Sequence, residues 1–262
     1  MRSRALSCKS LAIAVAALSA VAGCNGSSDK VAVKPAAATT PSATPSATPK
    51  PVLADALTGL TAAGGPVVAV KIDNAPLARP FQKGIGRAAV VYQELVEGGL
   101  TRFLAIYEVK NAGSGDVGPV RSARESDVGV LRAYDNPPLG FSGANRGVLA
   151  IFRSAQRSGW LKDGSYDDFS GAYRLGSHRK DARNFFVDLG KLSSLNPANT
   201  VKDVGFTFSP GTPTTGLPAA SAVASFSPHT RVGLTYQPAT HSWALTQNGT
   251  PMAGVAPANV VV

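Results

Sequence analysis

The chain has 262 residues, 44% hydrophobic and 16% charged, enough for one or two folded domains with a sizeable core. Its 26 Lys and Arg against 16 Asp and Glu give a formal net charge of +10, which favours polyanionic partners; the basic residues are not interleaved with aromatics as in nucleic-acid motifs, so nucleic acid is set aside. Two cysteines and three scattered histidines, His178, His229 and His241, exclude a disulfide framework and a thiolate metal site and make no histidine metal cluster, and no cofactor is expected.

The first residues address the compartment. Arg2, Arg4 and Lys9 form a basic start, and Leu11 to Val21 is an apolar stretch too short to span a bilayer. It runs into Val21-Ala22-Gly23-Cys24, which resembles a bacterial lipobox, with small residues before a cysteine that takes lipid and becomes the new N-terminus. Residues 1–23 are therefore expected to be a lipoprotein signal peptide, and Cys24 the lipidation site. The expected location is the extracytoplasmic face of the cytoplasmic membrane, lipid-anchored. Cys8 leaves with the signal, so the mature chain has no thiol to spare. Around such a protein the available polyanions are wall glycopolymers and anionic lipid headgroups.

Residues 24–54 read as a lipidated cysteine followed by a linker of Ala, Thr, Ser, Pro and Lys, with Thr-Pro-Ser-Ala-Thr-Pro repeating from Thr40 to Pro49. This composition buries too little apolar surface to fold. Extended at about 3.1 Å per residue, the 28 residues Asn25 to Val52 would reach roughly 85 Å.

The folded region is expected over 55–195, followed by a smaller β-rich domain over 204–262; the fold class is α+β, with a mixed sheet and helices in the first part. Pro66 to Asn74 predicts a buried strand, being β-branched and closed by a polar pair. Pro76 and Pro80 then hold an irregular loop with Arg79. Ala89 to Val96 and Thr101 to Val109 predict two strands joined by a Glu97-Gly98-Gly99-Leu100 turn. The second is apolar on both sides, so its sheet is expected to be covered twice.

Gly118-Pro119 breaks the chain, and Ser122-Ala123-Arg124-Glu125 has the spacing of a capping box with Ser122 as N-cap. Val128, Leu131 and Tyr134 carry that helix's apolar stripe until Asn136-Pro137-Pro138. Leu139 to Ser142 is strand-like, and Val148, Leu149, Phe152 and Ala155 mark an amphipathic helix closed by Gly159. Trp160 to Lys180 has no clear period. Asp188 is an N-cap before a short helix. From Gly205-Phe-Thr-Phe208 the period is two, through Ala222–Phe226, Arg231–Gln237 and Ser242–Gln247, and Asn248-Gly249 signals a hairpin. The chain stops at Val260–Val262 in what reads as mid-strand, so the C-terminal domain is expected to be incomplete.

Several of these stretches, in this order, resemble the DUF3048 family of YerB-like lipoproteins. They are Val70-Lys-Ile-Asp-Asn74 with Ala78-Arg-Pro80, Val90 to Ile106, Val117-Gly-Pro-Val-Arg-Ser-Ala-Arg124 with Asp127, and Ser142-Gly-Ala-Asn145 with Gly147-Val-Leu149. The resemblance covers about 55–190 well and the β-rich tail loosely. It implies an α+β domain and a smaller C-terminal domain on a lipid anchor, and little about function. Where the family tends to Pro-His-Asn-Leu-Tyr, this chain has Ala182-Arg-Asn-Phe-Phe186: Asn184 fits, but Arg183 replaces the histidine.

Arginine suits flat, two-pronged contact with carboxylate or phosphate. The expected ligand-binding set is Arg121, Arg124, Arg102, Arg79, Lys71, Asn145 and Asn184, gathered at a helix start and facing an anionic envelope polymer or lipid headgroup. Against this stands an internal ion-pair network of Arg102, Glu94 and Asp127 fixing the sheet to the helix. A third alternative is a cell-wall glycan or phosphodiester hydrolase with Glu94, Asp127 and Asp73 as catalytic candidates, which for glycan cleavage needs carboxyls about 5 to 9.5 Å apart. A protein-interaction module for another envelope protein is the fourth.

Overall fold

The computed structural model describes residues 54–61, 64–177, 184–208 and 219–252. All described residues belong to one compact unit. Cys24, the linker repeat, His178, Arg183 and Val260–Val262 lie outside them.

In chain order the elements are β1 (Val67–Asp73), β2 (Val90–Leu95), β3 (Thr101–Glu108), the one-turn helix α1 (Val109–Ala112), β4 (Asp116–Val117), α2 (Glu125–Leu131), β5 (Pro138–Gly140), α3 (Arg146–Arg157), β6 (Lys162–Asp163), β7 (Tyr173–Leu175), β8 (Phe185–Asp188) and α4 (Leu189–Ser193). The C-terminal part adds β9 (Ser221–Ser227), β10 (Thr230–Gln237), β11 (Ser242–Gln247) and β12 (Thr250–Pro251). The class is α+β, as the sequence predicts. Among the described residues no helix is long and apolar enough to cross a membrane.

The central sheet has the order β2-β3-β1-β5-β6. β3 runs antiparallel to both β2 and β1, while β5 lies parallel to β1 and β6 parallel to β5. Every residue of β1 and β3 is buried, because both faces are covered. Val67, Ala69, Leu104 and Ile106 share one face with Val128 and Leu131 of α2 and Phe152 and Ala155 of α3. Val68, Val70, Ile72, Phe103, Ala105 and Tyr107 take the other, against Val117, Val187, Leu189, Leu192 and the C-terminal Val232 and Leu234. Alternation along the strands divides these side chains between the two cores. The turn between β2 and β3 puts Gly98 and Gly99 at φ of +71° and +69°, a region that disfavours any residue with a Cβ.

A three-stranded sheet, β4-β8-β7, and a four-stranded antiparallel sheet, β12-β11-β10-β9, complete the fold. Asn248 and Gly249 form the last tight turn, with φ of 51° and 80°, as their type predicts. The four-stranded sheet is tied to the central one by polar contacts. The Ser227 and Thr230 hydroxyls donate to the Gly99 carbonyl at 2.7 and 2.8 Å, and Asn74 Nδ2 donates to Gln247 Oε1 at 2.7 Å.

Two expectations are corrected. Gly205–Phe208 is not a strand: Gly205 sits at φ +92°, and the Phe208 ring lies against the backbone of Gly59. Nor is Ser122 the N-cap of α2, which starts at Glu125 with Arg124 as N-cap and ends at Leu131. The reason is that residues 121–123 are held extended across the sheet. Arg121 N donates to Lys71 O (2.8 Å), Ser142 N to Arg121 O (3.1 Å) and Ala123 N to Gly143 O (3.0 Å). Those backbone groups are already satisfied, so the helix opens only after them.

Candidate functional site

Along β1 the helix-facing residues change from Val67 and Ala69 to Lys71 and Asp73, so one end of an apolar face becomes charged. The register puts Arg102 of β3 opposite Asp73, and Glu94 of β2 opposite Arg102. The extended segment 121–124 and the first turn of α2 lie over this end and bring Arg121, Arg124 and Asp127; the β2–β3 turn brings Glu97. Four cations and four acids thus meet where sheet, helix start and turn converge.

At the bottom of the cluster, Lys71 is fully buried. Its Nζ lies 2.5 Å from Asp127 Oδ1 and also pairs with the Glu94 carboxylate. The second Asp127 oxygen accepts the Arg124 backbone N–H at 2.7 Å, so Asp127 ties the helix start to the strand beneath it. Burial raises the Asp127 pKa, Lys71 pulls it down, and the Glu94 charge pushes it up again. Ser126 Oγ donates to Glu94 at 3.3 Å.

Nearer the surface are three guanidiniums. Arg102 Nη1 donates to the Ser122 carbonyl at 2.6 Å, and Arg124 Nη1 reaches the same oxygen at 3.3 Å. Arg124 Nε also bonds Glu97 at 3.0 Å, which lowers the Glu97 pKa. Arg121 Nε is 3.1 Å from Asp73 Oδ2, yet its N–H is not aimed at that oxygen and makes no hydrogen bond among the described residues. Burial, followed by the charges of Arg124 and Arg121, pushes the Arg102 pKa down to about 10. Removal from water is the larger cause, and crowding of like charge adds to it.

Of the residues singled out from sequence, Lys71, Asp73, Glu94, Arg102, Arg121, Arg124 and Asp127 come together here. Asn145 instead caps α3, accepting Val148 N at 2.9 Å, and Asn184 donates to the Gly176 carbonyl. Arg79 sits in a short 3-10 turn after β1, its Nε buried without a hydrogen-bond partner among the described residues. The alternative ion-pair network exists, centred on Lys71 rather than on Arg102. Sequence reasoning missed Glu97 as the Arg124 partner and the Ser122 carbonyl as the shared acceptor. The first was signalled only by a turn that folds back; the second had no signal, since a backbone oxygen looks alike everywhere in a sequence.

A second titratable pair also escaped notice. Asp55 and Glu108 are both buried, and Glu108 lines a cleft of about 220 Å³ with Thr58, Arg87 and Asn111. Burial and the hydrogen bond to Asp55 lift the Glu108 pKa to about 8. Burial alone would raise Asp55, but hydrogen bonds from Glu108, Thr58 and the Leu57 amide carry it below its usual value. Among the described residues no group of three or more His, Cys, Asp or Glu is placed to hold a metal ion.

Residues 57–202 match the family described as "Protein of unknown function (DUF3048) N-terminal domain". A Bacillus subtilis (strain 168) protein named "Putative lipoprotein YerB" is 46% identical over 69 residues, which are 26% of this chain and 20% of that protein, so the match spans a fifth of the relative's length. The crystal structure of the YerB protein from Bacillus subtilis is similar with a TM-score of 0.58 and 24% identity, covering 76% of this chain and 68% of that one. At that identity the likeness speaks for the fold.

Proposed function

This chain belongs to the DUF3048 family, and from that premise we propose that it is an envelope lipoprotein, lipid-anchored through Cys24 on the extracytoplasmic face of the cytoplasmic membrane, that binds an anionic envelope component through Arg102, Arg121 and Arg124. The name of its Bacillus subtilis relative supports the lipoprotein part, as does the lipobox-like run Val21–Cys24.

The observation that carries the binding part is the convergence of Arg102 and Arg124 on one carbonyl oxygen, with Arg121 close enough to weigh on the same charge. Three guanidiniums brought together repel one another. A carboxylate or phosphate placed between them relieves that repulsion and finds paired N–H donors at fixed spacing. Asp73 and Glu97 supply part of this compensation within the chain. Glu97, 70% exposed in its side chain, is the easier of the two for a ligand anion to displace. The ligand class is a phosphate- or carboxylate-bearing wall polymer, or an anionic headgroup.

The test is co-sedimentation of the protein with purified cell wall, and separately with anionic vesicles, over a range of salt. Charged hydrogen bonds contribute about 1.5–3 kcal/mol each, so Arg121→Ala with Arg124→Ala should weaken binding roughly tenfold or more and flatten its salt dependence. Unchanged binding and an unchanged salt slope would sink the proposal.

A further inference from the structure

Lys71, Asp127 and Glu94 form more than an ion pair. The Lys71 and Asp127 side chains are both 0% exposed, with Nζ 2.5 Å from Oδ1. Enclosed together, the two groups are fixed with the amine nitrogen on the carboxyl group it would have to attack to form an amide. The Asp127 oxygen turned away from the amine, Oδ2, accepts the Arg124 backbone N–H at 2.7 Å, as a carbonyl developing negative charge requires. Glu94 touches the same nitrogen while keeping 12% exposure, so it can carry a proton and still reach solvent beside Ser126.

We propose that Lys71 and Asp127 condense into an intramolecular isopeptide bond, with Glu94 as the proton relay. Lys71 Nζ first passes one proton to Asp127 Oδ1 and then attacks Asp127 Cγ, forming the C–N bond and moving the carbonyl electron pair onto Oδ2, where the Arg124 N–H stabilises it. Glu94 takes the extra proton from nitrogen and gives it to the Oδ1 hydroxyl. The C–O bond then breaks, the pair on Oδ2 returns to restore the carbonyl, and Oδ1 leaves as water. One amide and one water replace one ammonium and one carboxylate, with no oxidant or reductant. Enforced proximity supplies the drive for a step that is slow between free groups in water.

Asp127 rather than Glu94 is the carbonyl partner because, among the described residues, Glu94 Oε1 has no hydrogen-bond partner to hold an oxyanion. The bond would staple the centre of β1 to the first turn of α2. It would give an extracytoplasmic chain with no cysteine beyond Cys24 the covalent cross-link that other such proteins take from disulfides.

The test is tandem mass spectrometry of a tryptic digest of the denatured full-length protein, which does not depend on the state of its N-terminus. Trypsin is expected not to cut after Lys71, and the peptide carrying Lys71 should be joined, less one water, to the peptide Glu125–Arg132. Cleavage after Lys71 with free, full-mass Glu125–Arg132 would overturn the proposal. A link from Lys71 to the peptide carrying Glu94 would overturn the choice of Asp127. Glu94→Gln should slow the linkage at least tenfold in freshly made protein; an unchanged rate would remove Glu94 as the relay, and the wild-type digest stands whether or not that variant folds.

Discussion

Arg102 and Arg124 deliver their guanidinium groups to one acceptor, the carbonyl oxygen of Ser122, at 2.6 and 3.3 Å. They approach from different depths. Arg102 is 8% exposed, whereas the Arg124 side chain is 20% exposed and pairs with Glu97 at the rim. Substitution should separate the two contributions. Arg102→Met removes a charged, buried hydrogen bond and should cost about 1.5–3 kcal/mol of stability. Arg124→Ala should cost less than about 1 kcal/mol, as exposed pairs do. Urea unfolding of both variants checks this, and equal losses would contradict the difference in depth.

Lys71 is the residue the cluster tolerates losing least. Lys71→Met leaves Asp127 buried without its partner, and breaking a buried pair from one side costs about 3–5 kcal/mol. Lys71→Met combined with Asp127→Leu removes both charges and should recover part of the loss. Denaturation midpoints of the single and double variants measure the recovery, and a fully additive double variant would show that the two residues are not coupled.

Asn199 acts as a one-residue strand partner. Its Oδ1 accepts Val67 N and its Nδ2 donates to Val67 O, both at 2.7 Å, which satisfies the first residue of β1 where the β5 pairing, which begins at Ala69, does not reach it. Asn199→Ala leaves two buried backbone groups unpaired, at about 1–3 kcal/mol each, so a loss of about 2–6 kcal/mol is expected. Hydrogen exchange at the Val67 amide should quicken with it; an amide that stays protected would mean another group replaces the asparagine.

The Glu108 carboxyl predicts a pH dependence with a definite sign. Its pKa rises from 4.5 to about 8 on folding, so between those values the native state binds more protons than the unfolded chain. The stability this group contributes is whole below pH 4.5 and is lost as pH rises through about 8. Asp55, with its pKa lowered, acts in the opposite sense and only at more acid pH. Thermal unfolding at pH 5 to 9 should therefore show a falling Tm that Glu108→Gln flattens. A parallel fall in the variant would place the effect elsewhere.

Asn145 supports α3 rather than a ligand. Asn145→Ala should cost about 1 kcal/mol, as lost N-caps do, and leave wall co-sedimentation unchanged. A selective loss of binding at full stability would return Asn145 to the ligand set.

The strands and their turns were legible in the sequence because their causes are local. Apolar, β-branched runs fix β1 and β3, Gly98-Gly99 and Asn248-Gly249 fix tight turns, and Asp188 announces the helix it caps. The charged residues that matter could be named for a related reason: Lys71 and Asp73 interrupt an otherwise apolar strand, and Arg121, Arg124 and Asp127 follow a chain break. What the sequence could not decide is which charge meets which. The register that sets Arg102 opposite both Asp73 and Glu94 belongs to strand pairing. The use of the 121–123 backbone by neighbouring segments, which delays α2 to Glu125, belongs to the packing of loops. Whether Lys71 lies in water or wholly beneath α2 depends on what covers the sheet. Composition and local pattern carry short-range preferences, whereas burial and partner choice come from separate segments, with side-chain partners 20 to 56 positions apart in sequence, and only the tertiary structure brings those together.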